Sequence, residues 1–263
     1  MTPYYEQSGV IIFHGDCINV LDAVGPLTDH FITDPPYARD VYIRASGPLT
    51  KTGSGTPQRL GVPRGKSGVP MNHPKDGGSL AKLSAGDIGA VDDLIGPVSR
   101  LLGALTKRWG LVFSDVESCH LWRAALELAS MRYVRTGAWV KPDAMPQMSG
   151  DRPSVGFEPA TIVHAAGPMR WNGGGHQALW THYISKGASR PDHPCPKPEN
   201  LMLQLVSQFT DIGDTILDPF MGSGTTLVAA KRLGRKAIGV ELQEKYCEIA
   251  AQRLSQEALP LAL

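Results

Sequence analysis

Thr215-Ile216-Leu217-Asp218-Pro219-Phe220-Met221-Gly222-Ser223-Gly224-Thr225-Thr226 joins a short apolar run to a glycine turn, and Leu227-Val228-Ala229-Ala230-Lys231-Arg232 continues in a helical pattern. A glycine turn between strand and helix lets a ligand approach the backbone closely, and a helix N-terminus favours a negative group. Lys236-Ala237-Ile238-Gly239-Val240 predicts the next strand, ending at Glu241. An acidic residue about 20 positions past such a turn is where a nucleoside-binding α/β unit holds its ribose. Leu227 stands where a dinucleotide fingerprint wants its third glycine, and no Lys-Ser/Thr follows the turn. The stretch points to a nucleoside site and away from a phosphate-loop NTPase.

Outward from this unit the pattern alternates. Val10 to His14 predicts a strand, Asp16 to Val24 a short helix and Phe31 to Thr33 another strand. Asp92 to Thr106 has apolar residues at helical spacing, Leu111 to Phe113 follows as a strand, and Glu117 to Met131 is a second amphipathic helix. Tyr133 to Val140 and Ala160 to His164 predict a hairpin, which puts an antiparallel edge on an otherwise parallel sheet. Helices over Asn200 to Phe209 and Glu244 to Leu254 complete the order. Such alternation means an α/β, doubly wound sheet with ligands at the carboxyl ends of its strands. Residues 38–90 are read as a loop far longer than ordinary connections.

The Phe31 strand runs into Asp34-Pro35-Pro36-Tyr37. Neither proline has an N–H, and each pushes the residue before it away from the helical region, so the chain leaves the strand stiff, with unpaired carbonyls. Asp34 adds an acceptor-only side chain and Tyr37 a flat stacking face. Rigid acceptors beside a stacking ring suit a planar group with an exocyclic amine, such as adenine or cytosine. Taken alone, the tetrapeptide is equally a proline-rich turn.

Together these segments resemble the amino-methylating DNA methyltransferases, which transfer a methyl from S-adenosylmethionine (SAM) to adenine N6 or cytosine N4. Asp34-Pro35-Pro36-Tyr37 matches the family's catalytic motif, and Asp218-Pro219-Phe220-Met221-Gly222-Ser223-Gly224-Thr225 looks like its SAM-binding motif. His193-Pro194-Cys195-Pro196-Lys197-Pro198 is similar to its His-Pro-x-x-Lys-Pro segment, with Pro196 in place of the common Gln. Gly15-Asp16-Cys17 looks like its Gly-Asp segment. The catalytic motif precedes the SAM motif, which is the permuted order of the β group. The resemblance runs from about Val10 to about Leu254 and implies a single methyltransferase domain with a seven-stranded Rossmann-like sheet.

The resemblance also assigns roles. Glu241 binds the ribose hydroxyls, Asp16, next to Cys17, the adenine amine and Asp218 the methionine ammonium; Phe220 and Gly222 belong to the same motif, and Ser223, Gly224, Thr225 and Lys197 sit near the methionine carboxylate. Asp16 reads equally as a helix cap. Asp at the first motif position is commoner for adenine and Ser for cytosine N4, so adenine is expected, with cytosine N4 the alternative. Pro194-Cys195 offers a cytosine-5 nucleophile context, which would leave the Asp-Pro-Pro-Tyr site without a role. RNA or protein amide methylation, usually with Asn first, and a silent DNA-binding module are further alternatives.

The net charge of +1 is low for a DNA binder, but from Arg39 to Lys75 seven basic residues face one acidic residue, Asp40. Arg39, Arg44, Arg59, Arg64 and Lys66, among Gly and Pro beside the catalytic motif, suit phosphate contact. Residues 166–193 are a candidate target-recognition insertion, with Trp171, Asn172 and His176 as base-reading side chains. That stretch reads equally as a surface loop with a tryptophan anchoring it to the core. Four scattered cysteines without a C-x-x-C predict reduced thiols, a cytoplasmic protein and no metal site. No run approaches a membrane span. The β group implies duplex DNA with an extruded base as partner, and a homodimer.

Overall fold

The computed structural model describes residues 1–24, 28–36, 50–51, 57–58, 91–148, 151–185 and 196–256. The first part holds β1 (Tyr5–Gln7), β2 (Val10–His14), α1 (Cys17–Val24) and β3 (His30–Thr33). A small antiparallel ribbon, β4 (Thr50–Lys51) and β5 (Pro57–Gln58), stands apart from the main sheet. Then come α2 (Val91–Leu105), β6 (Trp109–Phe113), α3 (Cys119–Leu128), β7 (Arg132–Val140), β8 (Phe157–His164) and β9 (Leu179–Thr181). The last part is α4 (Glu199–Phe209), β10 (Thr215–Asp218), α5 (Thr225–Arg232), β11 (Lys236–Glu241) and α6 (Glu244–Gln256).

One sheet of nine strands runs β1-β2-β11-β10-β3-β6-β8-β7-β9. β2, β11, β10, β3 and β6 are parallel, and the β7–β8 hairpin joins with β8 antiparallel to β6. These seven strands are the sheet that the sequence predicts. The other two extend its edges: β1 lies antiparallel to β2, and β9 lies parallel to β7, outside the hairpin. Each is three residues long with half or more of its positions exposed, too short for a period to show.

The central strands are apolar on both faces because both faces are covered. Alternate residues of each strand enter different cores. Ile32, Leu111 and Ile216 pack with Leu201, Leu205, Leu227 and Ala250 from α4, α5 and α6. Phe31, Val112 and Leu217 pack with Val20, Leu102, Trp122 and Leu126 from α1, α2 and α3. The sheet is therefore doubly wound.

Strand order reverses between β10 and β3. From β10 the chain proceeds outward to β11 on one side, and from β3 to β6 on the other. An open α/β sheet has its ligand crevice at the carboxyl ends of the strands at such a point. Asp218 closes β10 and Asp34 follows β3, so both carboxylates stand there. Among the described residues no helix is long and apolar enough to cross a membrane.

Candidate active site

Asp34 is poised asymmetrically. Its Oδ2 pairs with the Lys197 ammonium, whereas Oδ1 is buried and has no hydrogen-bond partner among the described residues. Lys197 lies between Pro196 and Pro198, in the extended entry to α4, and reaches back across the carboxyl end of the sheet. The same ammonium lies 3.1 Å from Oε2 of Glu158 on β8, and Lys141, just past β7, pairs with Glu158 Oε1. Aromatic faces line the cations: Lys141 sits 4.4 Å from the Trp139 ring centroid and Lys197 5.2 Å from that of Phe113.

Burial pushes the Asp34 carboxyl above its ordinary range; Lys197 opposes that and Glu158 adds to it. Burial acts against the Lys197 ammonium too, but the two carboxylates outweigh it and its pKa lies above the usual lysine value. Lys197 is thus held as a cation. The motif resemblance puts it near the methionine carboxylate of SAM; in the fold its ammonium pairs with Asp34, because a buried cation needs an anion within reach.

On the other side of the switch point, Thr33 Oγ1 donates to Asp218 Oδ1 at 2.8 Å, and the Phe220 N–H donates to the same oxygen at 3.2 Å. Burial raises the Asp218 pKa to about 6 even though Thr226, Thr33 and the Phe220 amide support its ionised form. Asp218 is therefore reluctant to ionise and would gain from a nearby cation. Past it, Gly224 has φ +79° and caps α5, and a Cβ there would stand 2.8 Å from that of Ala250.

Glu241 ends β11 and staples this turn. Its Oε2 accepts from the Gly222 N–H at 3.1 Å and its Oε1 from the Gln243 N–H at 2.8 Å. The Gly15 N–H donates to the Glu241 carbonyl at 2.9 Å, so the ends of β2, β11 and β10 meet. Asp16 Oδ1 accepts from the Asn19 N–H at 3.1 Å and caps α1, as one of its two readings requires. Cys17 is buried in the α1-side core, and burial lifts its thiol to about 12. Ser223 and Thr225 are buried and tied from behind: Arg253 Nη1 donates to the Ser223 carbonyl at 2.6 Å and to Thr225 Oγ1 at 3.2 Å.

Trp171 and Asn172 stand apart from the other described site residues. The chain leaves β8 at the amino end of the parallel strands, opposite Asp34, and both residues stay there. Trp171 packs its ring 4.8 Å from Phe209 and donates to the Gly174 carbonyl; Asn172 donates to the Thr210 carbonyl and to Asp211. The half-buried Trp171 ring has its N–H satisfied, and the exposed Asn172 amide is held by an open carbonyl and a carboxylate. His176 bonds Gln204 of α4, which also takes His182. β9 carries the segment back, and His182 to Ile184 then lie beside Val140 and Asp143. Tyr37, Arg39, Arg44, Arg59, Arg64 and Lys66 lie outside the described residues.

Two features escape a linear reading. Glu158 and Lys141 carry no motif; the one signal is a charged residue at the end of each apolar hairpin strand, and only the register that sets Trp139 opposite Glu158 brings them together. At the far end of the sheet, the buried His30 bonds Asp214 at 2.8 Å, and Arg108 bridges Asp214 and Asp211.

Asp218 and Asp34 thus stand at the switch point of a doubly wound sheet, where folds of this class bind nucleoside ligands. The family model described as DNA methylase, for N6 and N4 methyltransferases, matches residues 28–252, and the chain belongs to that family. It is a SAM-dependent DNA amino-methyltransferase of the β class. The chain is 27% identical over 278 residues to the Type II methyltransferase M2.LlaDCHI of Lactococcus lactis subsp. cremoris, covering 97% of this chain and 93% of the relative. A crystal structure of the M1.HpyAVI–SAM complex superposes with a TM-score of 0.66 at 22% identity, over 92% of this chain and 98% of that one. PvuII DNA methyltransferase (cytosine-N4-specific) gives 0.69 at 14% identity, over 98% and 91%.

Proposed function

We propose that this chain methylates adenine N6 in duplex DNA, on a base turned out of the stack, with Asp34 as the acceptor for the amine. One observation carries the reading: Asp34 Oδ1 is a buried carboxylate oxygen without a partner among the described residues. Such an atom is costly unless something donates to it. An exocyclic amine is a donor that fits, and the crevice it would enter lies one strand from Asp218.

The residues present suit the cofactor. Asp218 is a buried carboxylate at the crevice and would be favoured in its ionised form by the methionine ammonium. Glu241 receives the Gly222 and Gln243 N–H groups, with Leu242 N–H also facing it, and a carboxylate's four lone-pair sites still leave room for a ribose hydroxyl. Bound SAM supplies a methyl on a positive sulfur, which leaves with the electron pair of the C–S bond.

The residues do the rest. An aromatic amine has its lone pair delocalised into the ring and attacks poorly. Accepting its N–H at Asp34 Oδ1 and at the Pro35 carbonyl favours a pyramidal nitrogen whose lone pair is free to form the N–C bond. Positive charge grows on that nitrogen during attack, so the carboxylate helps most at the transition state. The surplus N–H proton then leaves by way of Oδ1 to solvent. Extrusion from the duplex is needed because the amine is otherwise out of reach, and Tyr37, by resemblance, compensates by stacking.

Asp at the first motif position favours adenine, and cytosine N4 is the alternative. The Type II names of the relatives support a modification partner of a restriction enzyme. Incubation with SAM and mixed-sequence duplex DNA, followed by digestion and nucleoside mass analysis, tests the reading. N6-methyladenine supports it, N4-methylcytosine replaces it with the alternative, and absence of both ends it.

A further inference from the structure

We infer that Lys197 and Glu158 are a positioning pair for Asp34: the Lys197 ammonium pins Oδ2 so that Oδ1 alone meets the substrate amine, and Glu158 holds Lys197 in that place. The inference rests on the methyl-transfer reading above and adds two residues to its machinery.

The geometry is a chain of alternating charge. Asp34, Lys197, Glu158 and Lys141 come from four separate segments, after β3, before α4, on β8 and after β7, and meet at the carboxyl end of the sheet. Lys197 is the shared member, with its ammonium between two carboxylates. The Lys197, Glu158 and Lys141 side chains are 10–16% exposed, so solvent screens them little.

A bridge that satisfied the whole carboxylate would engage both oxygens of Asp34. Here one oxygen is taken and the other is buried and open among the described residues. A carboxylate free to rotate would exchange its oxygens, and its lone pairs would point at the amine only part of the time. Fixing Oδ2 removes that freedom, and alignment of reacting groups is a large part of what a site of this kind contributes.

The pair also sets when Asp34 is charged. Among the described residues four groups face it: Lys197 and Lys141 favour the carboxylate, while Glu158, and Asp218 across the Thr33 hydroxyl, disfavour it. Burial disfavours it as well. Removing a cation and removing an anion must therefore move the titration of Asp34 in opposite directions, which a merely structural role would not do.

The experiment is the pH dependence of single-turnover methyl transfer to DNA, with SAM affinity measured alongside. The wild type should lose rate at acid pH as Asp34 protonates. Lys197→Met should move that acid limb upward by about 1–3 pH units, with rate recovered at higher pH. Glu158→Gln should move it downward, and Lys197→Arg, which keeps the charge, should leave it where the wild type has it. SAM affinity at pH 7 should stay within about twofold in Glu158→Gln, and the Lys197 variants are compared at saturating SAM. Variants that lose rate with the acid limb unmoved would make Lys197 and Glu158 structural and overturn the inference. If Lys197→Met does not fold, a downward shift in Glu158→Gln beside an unmoved limb in Lys197→Arg supports the inference, and an unmoved limb in Glu158→Gln overturns it. A wild type that transfers no methyl to DNA removes the functional reading and this inference together, before any variant is made.

Discussion

Lowering the pH from 7 to 5 should weaken SAM binding while stabilising the ligand-free protein, both through Asp218. Burial raises this carboxyl from the ordinary 3.8 to about 6. If its ionised form receives the methionine ammonium, affinity follows the ionised fraction, roughly nine-tenths at pH 7 and one-tenth at pH 5, a loss of about tenfold. The sign for stability is opposite. A carboxyl whose folded pKa lies above its unfolded one penalises the fold only above the unfolded value, and the penalty grows from about pH 4 until it levels off above about pH 6. Going from pH 7 to 5 should therefore restore roughly 1 kcal/mol to the ligand-free fold. SAM's own amino and carboxyl groups keep their charges over this range. Burial raises Glu241 as well, so the comparison that isolates Asp218 is with Asp218→Asn. Its amide can still accept from Thr33 and Phe220, and Thr226 can turn its hydroxyl to accept. Calorimetric titration and thermal melts at pH 5, 6 and 7 on both proteins give the two trends. Wild-type affinity that is flat across the range, or equally steep in Asp218→Asn, would refute the assignment.

Glu241→Ala should weaken SAM binding by roughly 1.5–3 kcal/mol, as ribose hydroxyls lose a charged acceptor and Gly222 loses its anchor; unchanged calorimetric affinity would take Glu241 out of the site. Asn172→Ala should lower stability by about 1–2 kcal/mol through its lost bonds to Thr210 and Asp211 and leave the methylated sequence unchanged. A shifted target sequence in methylation mapping would return Asn172 to base recognition. Replacing Arg59, Arg64 and Lys66 together by neutral residues should flatten the salt dependence of DNA binding by up to about three phosphate contacts, with SAM affinity unaltered; a salt slope that does not move would clear the segment of DNA contact.

The fold was legible because its central strands carry their own evidence. Ile216 and Leu217 are apolar in succession since each meets a different helical layer, and the glycine turn, helix and Glu241 follow at fixed spacing. Edge strands β1 and β9 escaped because three residues hold too little pattern, and partner strands rather than composition define them. In the site, Asp34, Asp218 and Glu241 were legible as residues that end strands. What they touch was not. Lys197 to Asp34 spans 163 positions, and the charge chain through Glu158 and Lys141 exists only in the β7–β8 register. Trp171 and Asn172 read two ways for the opposite reason: aromatic and amide side chains on a glycine-rich loop serve equally to read a base or to fasten the loop. Which end of the sheet the loop occupies bears on the choice, and strand direction, not composition, sets that.

The most direct measurement is single-turnover transfer of labelled methyl from SAM to duplex DNA by the wild type and Asp34→Ala, with SAM affinity for each. Removing the open acceptor should leave SAM binding and the fold in place and slow transfer by at least about a hundredfold, the equivalent of about 3 kcal/mol at the transition state. Near-normal transfer by Asp34→Ala would contradict the account at its centre.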